Sequence, residues 1–205
     1  MPSGLIARKV GMSRIFLPDG AAVPVTYLSV EPNTVVRVKT KERDGYDAVV
    51  LGIGARDWTS RKGKAHVRYA LQKEWKVDSL SGLEAGKKIT VEVVPEACTV
   101  SIMGISKGKG FAGTIKRHHF SGGPASHGSH FKREPGSIGM RTQPGRIHKG
   151  KRMEGHMGTD TVTIKERPVI MTDKEKGVIA VKGPVPGANG SAVFVTIETL
   201  PNQKA

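Results

Sequence analysis

The sequence predicts a mainly β protein: a closed or nearly closed β-barrel of short strands, with little helix and one long Gly-rich basic loop inserted. Three observations point there. Apolar residues alternate with period two in several short runs. Turn-forming residues separate those runs at short intervals. Between Gly104 and Gly158, a Val-rich composition gives way to Gly, Lys, Arg and His, and then returns.

In chain order, Met1 to Phe16 reads straight into strand-like sequence, and Pro18-Asp19-Gly20 supplies the first turn. Val36, Val38 and Thr40 alternate as a strand, followed by an Asp44-Gly45 turn. Ala65 to Trp75 places Val67, Leu71 and Trp75 at helical spacing and is expected as a short helix. Ile89, Val91 and Val93 alternate again, and Thr99 to Ile105 is an apolar strand candidate. Beyond the basic segment come Val162 and Ile164, turns at Lys176-Gly177 and Asn189-Gly190, and a last run. There Phe194 and Thr196 alternate with Val193, Val195 and Ile197. The expected organisation is a β domain made of residues 1–103 and 159–205, interrupted by a loop of residues 104–158.

Of 205 residues, 33 are Lys or Arg and 18 are Asp or Glu, a net charge of +15 that favours a polyanionic partner. The 37% hydrophobic content is enough for one sizeable core. No run approaches the roughly 18 apolar residues of a membrane span. The N-terminus lacks the uninterrupted apolar stretch of a secretory leader, so none is expected. Cys98, the single cysteine, excludes an internal disulfide and a cysteine-built zinc site, and a reducing cytoplasm fits best.

Residues 104–158 hold 13 of the 26 glycines, six of the seven histidines and 11 Lys and Arg, against only Glu134 and Glu154. They contain no Val, Leu, Tyr or Trp, too little apolar surface to build a core, so this segment is expected to take its fixed shape mainly from what it binds.

Two nucleotide motifs fail on chemistry. Gly108 to Gly113 spells G-x-G-x-x-G after a candidate strand, but the stretch that follows is soon broken at Gly122-Gly123-Pro124 and cannot supply the helix that holds a pyrophosphate. Gly145 to Lys151 fits a Walker A loop until its final hydroxyl position, which is Arg152, so magnesium has no ligand there. His118, His119, His127 and His130 lack the Cys or carboxylate partners of a zinc site and lie among cations that repel one. Asn189-Gly190-Ser191 matches a glycosylation sequon and reads as a turn. No metal, cofactor or catalytic residue is expected.

Nucleic-acid binding remains. A solvated surface mixes acids with bases, whereas this segment presents one sign of charge on a permissive backbone. The candidate contacts are Lys107, Lys109, Lys116, Arg117, His118, His127, His130, Lys132, Arg133, Arg141, Arg146, Lys149, Lys151, Arg152 and His156. Phe111, Phe120 and Phe131 are candidates for stacking on unpaired bases. RNA is favoured over DNA because no helix here is built to enter a major groove.

Four stretches in order resemble the bacterial-type large-subunit ribosomal protein L-three family: Gly4–Phe16, Ser106–Gly113, Pro135–Gly139 with Gly150–Gly158, and Val181–Gly190. The resemblance covers nearly the whole chain. It implies a globular β-barrel on the subunit surface and a loop threading large-subunit ribosomal RNA toward the peptidyl transferase centre. It further implies early binding near the 3′ end of that RNA during assembly, and neighbouring large-subunit proteins as partners. Some members carry a methylated glutamine directly after the Gly-Ser-Ile-Gly stretch, where this chain has Met140, so that modification is not expected at this position; Gln143 lies close by. The expectation is a non-catalytic, ribosome-bound cytoplasmic protein with neither membrane nor homo-oligomeric partners.

Overall fold

The computed structural model describes residues 3–77, 79–95 and 98–198. In chain order the strands are β1 (Gly4–Phe16), β2 (Ala22–Ser29), β3 (Asn33–Lys39), β4 (Ala48–Thr59), β5 (Ala65–Lys76), β6 (Lys88–Ile89), β7 (Thr99–Ile105), β8 (Phe111–Ala112), β9 (Gly155–His156), β10 (Thr161–Asp173), β11 (Val178–Lys182) and β12 (Ala192–Glu198). Helix is confined to α1 (Lys41–Asp44), α2 (Thr114–His118) and a 3-10 turn at Val91–Val93. The protein is therefore mainly β, as expected. Two compact units divide it: residues up to Ser106 together with those from Thr161 onward, and Lys107–Asp160.

In the first unit, six antiparallel strands pair in the cyclic order β1-β12-β7-β10-β11-β2, so the first and last strands close on each other. A second sheet runs β5-β4-β3-β6. Both feed one core that includes Leu5, Ile6, Leu28, Val35, Val49, Leu51, Ile102, Ile179, Val193 and Val195. Leu5, Ile6 and Ala7 are consecutive and all buried, which a strand sustains only when both of its faces are covered. Gly4 has no room for a side chain because the Trp75 ring occupies the place of its Cβ.

Strand β1 serves two neighbours in turn. It pairs with β12 from Gly4 to Arg8, then with β2 from Arg8 to Phe16, with a register shift between Lys9 and Gly11. Ile6 thus has an edge that β2 does not reach, and the fully buried Asn33 fills it. The Asn33 Oδ1 accepts from the Ile6 N–H at 2.9 Å, and its Nδ2 donates to the carbonyls of Ile6 at 3.1 Å and Glu31 at 2.9 Å. A side-chain amide here completes a ladder, as buried backbone groups require. Lys9 is buried too, and its Nζ donates to the carbonyls of Val185 at 2.7 Å and Gly187 at 3.0 Å, fixing the turn before β12.

The turn signals fall where the chain reverses. Gly20 N–H donates to the Leu17 carbonyl between β1 and β2, Gly45 ends α1 with φ +85°, and Gly177 lies between β10 and β11. Thr99 to Ile105 forms β7 over its whole length.

Two expectations are corrected. Ala65 to Trp75 is not a helix but strand β5. Val67, Leu71 and Trp75 are separated by even intervals, so the same spacing also puts them on one face of a strand, and pairing with β4 decides between the two. Leu71 lies opposite Ile53 and Trp75 opposite Val49. The run Ile89, Val91, Val93 is not one strand either: β6 stops at Ile89 and a 3-10 turn follows. The turn carries Val91 and Val94, three apart, into the core, which leaves Val93 partly exposed.

Replacing Asn33 by Ala should destabilise the protein by about 3 kcal/mol, because it strands the N–H and C=O of Ile6 without partners. Urea unfolding checks this, and a midpoint equal to wild type would show that water replaces the amide.

Candidate nucleic-acid interface

The second unit, Lys107–Asp160, contains all fifteen candidate residues. Its regular structure is small. Strands β8 and β9 pair Phe111 with His156 and Ala112 with Gly155. The pairing extends outward as the Lys109 N–H donates to the Met157 carbonyl, and the Met157 N–H to that of Gly110, both at 2.9 Å. Helix α2 follows β8 and stops after five residues at His119, whose φ is +61°. Such a helix neither cradles a pyrophosphate nor fills a major groove.

Arg117 and His118 bind the unit to itself. Arg117 Nη1 donates to the Met153 carbonyl at 2.9 Å, and His118 Nε2 lies 2.9 Å from the same oxygen. A carbonyl only accepts, so the Nε2 bears the proton in that hydrogen bond. Both residues are half-buried. Two of the fifteen candidates therefore clamp α2 onto the chain entering β9, leaving them less available to a ligand than the others.

The remaining thirteen are exposed. Lys107 and Lys109 precede β8, and Lys116 lies on α2. His127, His130, Lys132 and Arg133 follow in irregular chain, and Lys151, Arg152 and His156 lie before or on β9. Gly122, at φ +73°, and Gly123 pack against the Phe131–Lys132 backbone so closely that a Cβ at Gly122 would meet the Lys132 carbonyl at 2.5 Å. This contact holds Lys132 and Arg133 beside the chain leaving α2. Arg141 and Arg146 share the wall of a concavity of about 450 Å³ with Gly136, Ile138, Met140 and Ile147. Arg146 and Lys149 line another of about 490 Å³. The structure thus sets Arg146 beside Arg141 in one concavity and beside Lys149 in the other.

Of the aromatic candidates, Phe111 and Phe131 are exposed, whereas Phe120 is half-buried with its ring 6.1 Å from that of His118. The sequence reading does not single out Ile138 and Ile147, the exposed apolar residues beside Arg141 and Arg146. No periodicity marks them, because the chain there is neither strand nor helix.

Ion pairs are found in the first unit, where Arg8 meets Glu31, Arg37 meets Asp44, Lys39 meets Glu74 and Lys176 meets Asp173. The Lys39 ammonium and the Tyr46 hydroxyl hold the Glu74 carboxyl below its ordinary pKa, and Glu74 and Tyr46 raise that of Lys39. Among the described residues no three His, Cys, Asp or Glu side chains gather as metal ligands. Cys98 is buried, and desolvation pushes its thiol up, away from the thiolate a nucleophile needs. No helix among the described residues is long and apolar enough to cross a membrane.

Replacing Arg117 by Ala should speed amide exchange at Lys109 and Met157 about tenfold, through loss of a charge-assisted hydrogen bond. Exchange measured residue by residue checks this, and unchanged rates would show that β8 and β9 hold without the clamp.

Comparison with known proteins gives a consistent result. The family model described as Ribosomal protein L3 matches residues 74–177. A large ribosomal subunit protein uL3 from Dehalococcoides mccartyi is 44% identical over 200 residues, covering 95% of this chain and 98% of that protein. The uL3 of Burkholderia lata is 44% identical, covering 96% and 95%, and that of a Synechococcus species is 42% identical, covering 96% of each.

Proposed function

The chain belongs to the ribosomal protein L3 family of large-subunit proteins, structural proteins of translation rather than enzymes, and we propose on that premise that it binds large-subunit ribosomal RNA directly through Lys107–Asp160. The observation that carries this reading is the exposure of thirteen of the fifteen candidate Lys, Arg and His side chains on a unit whose acids are only Glu134, Glu154 and Asp160. Phosphates neutralise such a surface, and the exposed Phe111 and Phe131 offer faces to unpaired bases. Arg141 and Arg146 line one concavity of this surface and Arg146 and Lys149 another, with Lys151 and Arg152 following closely in the chain.

Within this reading, the six-stranded ring is the globular barrel that docks on folded RNA, and the basic unit penetrates between RNA helices. The protein works in the cytoplasm as part of the ribosome, beside other large-subunit proteins. Family membership supports three finer assignments: binding near the 3′ end of the RNA, a role in early assembly, and placement of the middle of the basic segment toward the peptidyl transferase centre. An enzyme using Gly108–Gly113 is disfavoured by the five-residue α2, and an RNA-binding factor acting off the ribosome would share the surface but not the retention.

Sedimentation of large subunits through a high-salt wash tests the assignment. The protein should remain with the subunit as a stoichiometric constituent, and quantitative release would make it a transient factor. Replacing Lys149, Lys151 and Arg152 together by Ala should weaken binding to a large-subunit RNA transcript at least tenfold at moderate salt. Unchanged affinity would remove these residues from the interface.

A further inference from the structure

Strands β4 and β5 form a hairpin of which only half belongs to the core. Val49, Leu51, Ile53 and Trp75 are buried at its base, whereas every residue from Gly54 to Thr59 is exposed, as are Ala65 to Arg68. The turn is closed by the Ser60 N–H donating to the Lys64 carbonyl at 2.8 Å and the Lys64 N–H donating to Ser60 Oγ at 3.0 Å. From Arg56 to Arg68 this distal half carries Arg56, Arg61, Lys62, Lys64 and Arg68 against Asp57 alone. Among the described residues none of the five is paired with a carboxylate.

One face of the hairpin is unusual. Arg56 lies directly opposite Arg68, and Trp58 directly opposite His66, so these four side chains share a face. Directly opposed like charges destabilise a sheet, and no acid stands among the four to relieve them. Asp57, opposite Val67, points to the other face. Trp58 is 47% exposed although it is one of only two tryptophans in the chain. The His66 ring lies 5.8 Å from it at a 31° tilt, and the Arg68 guanidinium 5.6 Å from its centroid. These contacts hold the indole in place without burying it. The core has no use for this arrangement, which costs it repulsion and exposed aromatic surface. A strand of nucleic acid meets both features at once, with phosphates between the arginines and a base on the indole.

We propose that the distal β4–β5 hairpin is a second RNA-binding site, which stacks an unpaired base on Trp58 and holds the flanking phosphates with Arg56, Arg68 and the turn cations. It rests on the reading of the protein as an RNA binder, but uses residues of the first unit that the sequence pattern does not mark. Long cationic and aromatic residues alternating on one face of an exposed antiparallel pair make a platform for single-stranded RNA, not for a duplex groove.

The test uses the full-length chain and a large-subunit RNA transcript. Binding is measured across a salt series for wild type, Trp58→Ala, Trp58→Phe, the double variant Arg56→Ala with Arg68→Ala, and the Lys149, Lys151 and Arg152 triple variant. Trp58→Ala should weaken binding about tenfold with no change in salt slope, and Trp58→Phe should restore most of the affinity. The arginine pair should lower the slope by about 1.5, as expected for two lost phosphate contacts. Ultraviolet cross-linking should join RNA to the peptide containing Trp58. Wild-type affinity and slope in all hairpin variants, with the triple variant weakened, overturn the second site and leave the proposed function standing. Insensitivity of both sets would overturn the proposed function. Cross-linking of the hairpin to another large-subunit protein in the assembled particle, and not to RNA, also overturns the proposal.

Discussion

Closure of the six-stranded ring depends on β1 being shared between two partners, with Asn33 completing the edge at Ile6 that neither partner reaches. The ring's share of the first unit's interior follows from that closure, and the β5-β4-β3-β6 sheet supplies the rest. A closed set of strands has no exposed edges to protect and offers an interior that only apolar side chains fill. Three of the buried exceptions, Lys9, Thr26 and Asn33, are tied to the backbone, and Ser101 to the Glu198 carboxylate. Such an interior leaves nearly all the cations outside it, and with a net charge of +15 many of them have no carboxylate to meet.

How the charge is distributed decides what the protein does. In the first unit outside the distal β4–β5 hairpin, acids lie beside bases, and the cluster of Lys39 on β3, Glu74 on β5 and Tyr46 is an example of local neutralisation. In the second unit bases outnumber acids by 11 to three. Self-repulsion of that kind opposes compaction, and a polyanion relieves it. Arg117 shows how part of the charge serves internal order: with His118 it fastens α2 to Met153 and so shapes the surface on which the cations sit.

Much of this was legible in the sequence because turn chemistry and period-two alternation are local. Gly20, Gly45 and Gly177 each mark a reversal, and Thr99 to Ile105 forms one strand from end to end. The β5 helix reading failed because Val67, Leu71 and Trp75 satisfy both periods, and only the nonlocal pairing with β4 breaks the tie. The same dependence on pairing hid the Arg56, Trp58, His66 and Arg68 face, whose members are up to twelve residues apart in the chain. In the basic segment, composition pointed to the candidate residues, but a charge count cannot tell Arg117, bonded to Met153, from Lys116 beside it. Nor does composition place Arg146 in one concavity with Arg141 and in another with Lys149; that takes the path of the irregular chain.

In the proposed function, phosphate neutralisation by the exposed cations holds the protein on large-subunit RNA. The salt dependence of its association with a large-subunit RNA transcript tests that most directly. About eight phosphate contacts give a plot of log affinity against log salt concentration with a slope of about −6 to −7. A flat response would contradict it and leave the basic surface without the role assigned to it.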